Sequence, residues 1–91
     1  MATSKNDAVD NARKDLARRL NINAADIQEQ SVDDADFPDM ALGAPEDGEM
    51  SGQMITNGWR IKLKAQGQTY EYRADKNQIR AYKFKGKNYR I

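Results

Sequence analysis

Apolar and polar residues alternate along most of the second half of this chain, and this pattern limits the fold more than any other feature. In residues 59–65 the apolar positions are separated by Arg60, Lys62 and Lys64, which predicts a strand with one buried and one basic face. Alternation over residues 69–74 and 79–85 predicts two further strands. Residues 88–91 are expected to form a last strand that closes a hairpin. Six of the seven aromatic residues lie after residue 58. The core sheet is therefore expected in this half, because aromatic side chains supply much of a small core.

The first half begins with a helix signal. Ser4, followed three residues later by Asp7, is a variant of the capping box, and Asn21 is a suitable helix stop. Between them apolar residues recur every three or four positions, which predicts an amphipathic helix over residues 5–20. Residues 27–37 predict a strand whose apolar positions do not keep a single period of two. A bulge or an edge position is therefore expected in this strand.

These elements predict an α+β fold in which one N-terminal helix packs on a four- to five-stranded antiparallel meander sheet. Residues 1–91 are expected to form a single domain. The long connection at residues 38–58 holds both prolines, four of the six glycines and three of the four methionines. A connection of this length is generally either functional or disordered. Leu42, Met54 and Ile55 are expected to hold its ends, while residues 46–51 are expected to move.

Charge is unevenly distributed along the chain. Residues 21–58 contain nine acidic residues and no Lys or Arg, whereas residues 60–91 contain ten basic residues and two acidic ones. The formal net charge of +1 therefore conceals a strongly dipolar chain. Such a distribution predicts charge-guided contact, either between the two halves or with a partner.

The residue types that are absent exclude most catalytic chemistry. The chain has no Cys and no His, which removes thiolate catalysis, zinc sites of the Cys type and the usual general base near neutral pH. The acidic cluster Glu46, Asp47 and Glu49 lies on a polar, Gly-rich segment with little burial to separate the pKa values of its carboxyls. A second acidic group lacks the spacing of a calcium loop and is expected to be solvated or to pair loosely with neighbouring basic strands: Asp33, Asp34, Asp36 and Asp39. We therefore expect no enzyme activity, no metal and no cofactor.

The basic residues of the predicted sheet allow two interpretations. An antiparallel sheet often keeps one face in water, and Lys and Arg keep that face soluble. Alternatively, basic side chains interleaved with tyrosines can bind single-stranded nucleic acid through phosphate contacts and base stacking. The candidate residues for the second interpretation are Arg60, Lys62, Lys64, Arg73, Lys83 and Lys85.

Several short strings in the chain follow a recurring pattern: residues 37–39 (FPD), 42–48 (LGAPEDG), 53–61 (QMITNGWRI) and 70–73 (YEYR). They resemble a widespread small bacterial domain of unknown function, often found in secreted proteins or lipoproteins, whose pattern reads WPD, LGCPEPG, QVLTPGYRI and YEYH. Ala44 stands where that pattern has Cys, and Arg73 stands where it has His. The resemblance covers residues 8–82 and implies no particular chemistry.

A weaker resemblance is to the cystatins, inhibitors of cysteine peptidases in which an antiparallel sheet wraps one helix. Their QxVxG hairpin is similar to residues 53–58, although Gly58 comes one residue late. The following alternation in residues 59–65 is similar to the next cystatin strand. This resemblance implies a related architecture, and peptidase inhibition as a further alternative function.

The sequence also bears on location. No run of residues approaches the roughly 20 apolar residues of a membrane span, and the start, Met1–Lys5, lacks the apolar region of a signal peptide. A cytoplasmic protein without membrane contact is expected, although the same start would remain after removal of a leader.

We therefore predict a non-enzymatic interaction domain whose partner is another protein or a peptide, contacted mainly through residues 38–58. The methionines of this loop can adapt to a variable partner; alternatively, they fold back as a lid on the core. Leu42 and Met54 are expected to be buried, and Met50 is expected to be exposed and free. Trp59 shares a face with Ile61 and Leu63 and is expected to be buried against the helix, with a role as an exposed anchor as the alternative. The candidate contact residues are Met40, Leu42, Glu46, Met50, Gln53 and Trp59. Nucleic acid remains the alternative partner.

Overall fold

The structure is a computed structural model that describes residues 4–91. One helix precedes five strands, which form a single antiparallel sheet in the order β1-β2-β3-β4-β5. The predicted α+β meander is therefore confirmed, with five strands. The elements are α1 (Lys5–Leu20), a short 3₁₀ turn (Ala24–Asp26), β1 (Gln28–Phe37), β2 (Thr56–Ala65), β3 (Gln68–Ala74), β4 (Ile79–Phe84) and β5 (Lys87–Arg90).

Helix α1 is capped by hydrogen bonds at both ends. The hydroxyl of Ser4 accepts a hydrogen bond from the backbone N–H of Asp7 at 3.1 Å, which satisfies one of the free donors of the first turn. At the other end Asn21 adopts the left-handed conformation, with φ of 56°, and its N–H donates to the last helical carbonyls. The helix predicted over residues 5–20 is confirmed at both ends.

The core lies between α1 and one face of the sheet, which we call the inner face. Ala8, Ala12 and Leu16 of the helix are fully buried because they form one stripe at three- and four-residue spacing. On the strands the same layer takes every second residue of the clean alternation, including Ile61 and Leu63. Trp59 packs against this core but is only partly buried. The expectation that it lies fully within the core is therefore only half met.

A polar network fixes the helix to the sheet. The carboxylate of Asp15, 4% exposed, accepts hydrogen bonds from the Tyr72 hydroxyl at 2.8 Å, from Arg19 at 2.6 Å and from Arg18 at 2.5 Å. Burial raises the pKa of this carboxyl, but the three donors outweigh burial, so the pKa of Asp15 lies below its usual value. Burial, with the Asp15 carboxylate beside it, raises the pKa of Tyr72. Asp15 is thus a charged acceptor at neutral pH.

Strand β1 is an edge of the sheet, as predicted, and its register shifts between Glu29 and Ser31. This bulge explains why its apolar positions do not keep one period. Strand β2 begins at Thr56 and pairs with the end of β1, so the predicted connection at residues 38–58 is shortened to residues 38–55. Strand β2 is therefore three residues longer than its alternating pattern indicates.

The structure bears only in part on the expectations about cellular compartment and membrane contact. The start of the chain, from which a cytoplasmic protein is expected, falls mostly on residues 1–3, outside the described residues. Within residues 4–91, α1 lacks the length and the apolar content that crossing a membrane requires.

Candidate functional site

The connection between β1 and β2 is packed against the outer face of the sheet, opposite α1. Ala41, Leu42 and Ala44 are fully buried, and together with Phe37 they form a second buried layer apart from the main core. Leu42 reaches its position with φ of 59°, in the left-handed region that non-glycine residues rarely adopt. The burial expected for Leu42 is confirmed, so this residue is a structural anchor and cannot be a contact residue for a partner.

Two arginines of the sheet contact this second buried layer. The first is Arg73. Its guanidinium carbon lies 3.7 Å from the centroid of the Tyr82 ring and 5.2 Å from that of Phe37, a stacked arrangement that favours Arg. The side chain also donates to the carbonyl oxygen of Leu42 at 3.0 Å and to Glu71 at 2.7 Å. Arg73 therefore holds the loop and does not face water.

The second arginine is Arg80, which is 2% exposed. Its guanidinium donates two parallel hydrogen bonds to the carboxylate of Glu49, at 2.5 and 2.7 Å, and a third to the carbonyl of Ala44 at 3.2 Å. Hydrogen bonds from Arg80, with one from the backbone of Glu46, lower the pKa of Glu49 to about 2. This ion pair opposes the movement expected for residues 46–51 at Glu49, because Glu49 neutralises a buried cation.

Polar contacts to the loop backbone complete its attachment. Asp39 accepts from the N–H groups of Ala41 and Gly43, both at 2.9 Å, which is the geometry of a turn stabilised by its own side chain. Farther along the chain, Gln78 donates to the carbonyl of Met40 at 2.7 Å. Asn88 donates to the carbonyl of Pro45 at 2.9 Å. The loop is thus tied to β4, β5 and the turn before β4.

The last part of the connection, residues 50–55, has exposed apolar side chains and forms one wall of a cleft. This cleft has a volume of about 750 Å³, within the usual range of ligand sites. Met50 is 96% exposed, Ile55 76% and Met54 66%, although all three line the cleft. The prediction that Met50 is free is confirmed. The predictions that Met54 is buried and that Met54 and Ile55 hold the end of the loop are wrong.

The turn between β3 and β4, residues 75–78, also lines the cleft. Asp75 shapes this turn, because its carboxylate accepts from the N–H groups of Asn77 and Gln78 at 2.7 and 2.9 Å. Gly58 allows β2 to approach it, since a Cβ at this position would lie 2.2 Å from the carbonyl oxygen of Ala74. Trp59 is a further lining residue.

The apolar wall is held at its middle. The backbone N–H of Met40 donates to the carbonyl of Gly52 at 2.9 Å. The Met40 side chain covers Gly52 so closely that a Cβ there would lie 2.6 Å from the sulfur. Residues 50–55 belong to no strand, and their apolar side chains are exposed and lie outside both buried layers.

Of the six predicted contact residues, the structure brings three together. Met40, Met50 and Trp59 line the cleft, whereas Glu46 and Gln53 are exposed but lie outside it. The further lining residues that were not among the predicted contact residues include Met54, Ile55, Lys76 and Arg90. Only the apolar character of residues 54 and 55 within a polar segment could have indicated the first two.

The residues predicted for nucleic-acid binding do not form one platform. Lys62 and Lys64 lie on the outer face of β2, where Arg60 is 3.4 Å from the carboxylate of Glu71. Arg73 lies beneath the loop. Lys83 and Lys85 belong to the hairpin between β4 and β5, and both have positive φ. Their side chains lie near the Tyr82 and Phe84 rings respectively.

The acidic residues of the first half are likewise divided. Asp33, Asp34 and Asp36 are exposed on the edge strand β1, where Asp34 lies 3.7 Å from Lys5. Charges on a free edge strand discourage pairing with another chain. Asp39 instead turns into the loop to hold its backbone.

Residues 9–82 match the family model of a domain of unknown function, DUF8738. The match covers most of the chain, and the chain belongs to this family. No curated protein and no solved structure gives a match. The resemblance to a small domain of unknown function is thereby supported. The residues that resemble the cystatin hairpin form no hairpin, because Thr56 to Gly58 pair with β1.

Proposed function

We propose that this domain is a non-enzymatic binding module that recognises an extended segment of another protein in the cleft beside residues 50–55. The observation that carries the proposal is the exposure of Met50, Met54 and Ile55 along one wall of the cleft. Contiguous exposed apolar side chains on a small protein are typical of interaction sites. Unbranched methionines also adapt to side chains of different shape.

The attachment of the rest of the loop supports this proposal. Arg73 and Arg80 hold Leu42, Ala44 and Glu49 against the sheet, and Glu49 also lines the cleft, so this part of the lining is in place before any partner arrives. A preformed site loses less conformational entropy on binding than one that must fold around its partner. The apolar wall, by contrast, has little of its surface committed to the fold.

The polar groups of the cleft support a binding role over catalysis. Glu49 has a pKa of about 2 because it is bound to Arg80, so it remains ionised and neither gives nor takes a proton near neutral pH. In Asp75, one carboxylate oxygen, Oδ1, accepts from two backbone N–H groups and shapes the turn. Glu49 therefore lacks the properties of a general acid or base.

Selection from a display library of linear peptides tests this function. We expect enriched peptides that bind the wild-type domain and lose at least about tenfold in affinity, or roughly 1.4 kcal/mol, when Met54→Ser and Ile55→Ser are combined. Ile91→Ser is the matched control, because Ile91 is 46% exposed but lies outside this cleft. Peptides that bind the double variant as tightly as the wild type, or no enrichment in repeated selections, would overturn the proposal.

A further inference from the structure

The charges around the cleft allow its partner to be specified more closely. Arg80 and Arg90 face each other directly on the paired strands β4 and β5, a placement in which like charges repel. One carboxylate, that of Glu49, is bound to Arg80. Hydrogen bonds from Arg80 are the main cause of the low pKa of Glu49, and the charge of Arg90 lowers it further. Arg90 therefore lies close enough to Glu49 to act on it electrostatically.

Arg90 itself has no ion-pair partner in the described part of the chain. Among residues 4–91, no carboxylate oxygen lies within 4.0 Å of its guanidinium or of the Lys76 ammonium. Both side chains line the same cleft as Met50, Met54 and Ile55, and both residues are exposed. The cleft thus combines an apolar wall with two cations that form no ion pair within residues 4–91, beside the carboxylates of Glu49, which is bound to Arg80, and of Asp75, which shapes the turn.

We infer that the cleft binds an extended acidic segment of a partner protein, with apolar side chains on Met54 and Ile55 and carboxylates beside Arg90 and Lys76. This inference rests on the proposed function, because it names the chemical class of the segment bound at that site. An extended chain presents successive side chains in opposite directions, so alternating apolar and acidic residues would reach the two kinds of surface. Complementary charge would add selectivity and a faster association more than raw affinity.

Three short acetylated peptides without tryptophan test the inference: one alternates leucine with glutamate, one leucine with lysine, and one serine with glutamate. Binding is followed by the fluorescence of Trp59, the one tryptophan in the chain, and by amide chemical shifts of residues 50–55. We expect the leucine–glutamate peptide to bind at least about tenfold more tightly than either of the others. We also expect added salt to weaken its binding.

The matched variants are Arg90→Gln and Lys76→Gln, with Lys64→Gln as the control that removes an exposed charge from β2 outside the cleft. Each cleft variant should weaken the leucine–glutamate peptide by about threefold or more, and the control should not. Equal binding of the lysine peptide overturns the inference but leaves the proposed function intact. No binding of the glutamate peptide also overturns it, and the display selection then decides separately on the proposed function. Dimers that disappear in Arg90→Gln would identify a second copy of the chain as the occupant and overturn the external partner.

Discussion

The guanidinium of Arg80, buried in strand β4, is neutralised by the carboxylate of Glu49, which lies 31 residues earlier in a segment without regular structure. Their two parallel hydrogen bonds connect the loop to the sheet. Loss of the carboxylate would leave a buried cation without a counter-charge, and this is more costly than loss of an exposed ion pair. The loop is therefore part of the folded structure at this point, and a flexible linker cannot replace residues 46–51 without cost.

Replacement of Glu49 tests this coupling. We expect Glu49→Gln to lower the free energy of unfolding by about 1–3 kcal/mol, measured by urea denaturation, because the amide keeps an acceptor but loses the charge. The matched control is Asp47→Asn, since Asp47 is an exposed acidic residue of the same segment and should change stability by less than about 0.5 kcal/mol. Equal effects of the two substitutions would show that the ion pair does not hold the loop.

The low pKa of Glu49 also predicts a pH dependence. The folded-state value is about 2, below the ordinary value of 4.5, so the stabilising contribution of Glu49 is complete above about pH 4.5. It is lost as the pH falls towards 2, because the unfolded chain then binds a proton more readily than the folded protein. A carboxyl NMR titration should place the Glu49 midpoint far below that of the same residue in an unfolded peptide of residues 46–51. Coincident midpoints would contradict the ion pair.

The helix-to-sheet network gives an independent prediction. Tyr72→Phe removes one donor to Asp15 and should cost about 1 kcal/mol, whereas Asp15→Asn weakens all three hydrogen bonds and should cost about 2 kcal/mol. Because the pKa of Asp15 is lowered in the folded state, its contribution is present above the unfolded pKa and declines in acid. Asp10→Asn, on the exposed face of the same helix, is the control and should be close to neutral. Thermal unfolding of the three variants provides the comparison.

The helix and most strands could be predicted because their signals are local. Ser4 and Asn21 mark the ends of α1, and the alternation around Ile61 defines β2 wherever the rest of the chain lies. The extension of β2 back to Thr56 could not be predicted in this way. It depends on pairing with Phe37 of β1, a contact that no short window contains.

The contacts that attach the loop and the lining of the cleft could not be predicted, because they depend on residues far apart in the chain. Leu42 is held by Arg73, and Ala44 by Arg80, across 31 and 36 residues. In the sequence these two arginines continue the basic alternation of a solvated face, but stacking on Tyr82 and pairing with Glu49 remove them from water. Similarly, Arg90 becomes part of the cleft only because β5 pairs with β4.

Oxidation provides a test of the order of exposure among the methionines. Thioether oxidation follows accessibility, so dilute peroxide should oxidise Met50 first, then Met54, and Met40 last of these three, since Met40 is half-exposed and covers Gly52. Peptide mass spectrometry over time would measure the order. If the methionines form the binding wall, oxidised protein should also lose affinity for selected peptides, because a sulfoxide is polar. Retained affinity after complete oxidation of Met50 and Met54 would argue against an apolar contact at this wall.

Trp59 reports on both the core and the cleft. It packs against the main core but is only partly buried, and it lines the cleft. The wavelength of its emission maximum should therefore lie between that of a buried and that of an exposed tryptophan. A soluble quencher should have partial access to the ring. A bound peptide should reduce this access, because it would cover the remaining exposed part of the ring.

Substitution separates the two roles of Trp59. Trp59→Ala should cost less than the roughly 3–5 kcal/mol of a fully buried tryptophan, because part of the ring already faces water. Trp59→Phe should recover most of that stability while weakening peptide binding, since tryptophan makes the larger contact at binding sites. Denaturation would measure the first effect, and the shifts of residues 50–55 on titration the second. Trp59 would belong to the core alone under two conditions. Trp59→Ala would have to lower the free energy of unfolding by the roughly 3–5 kcal/mol of a fully buried tryptophan, and Trp59→Phe would have to leave the affinity for peptides unchanged.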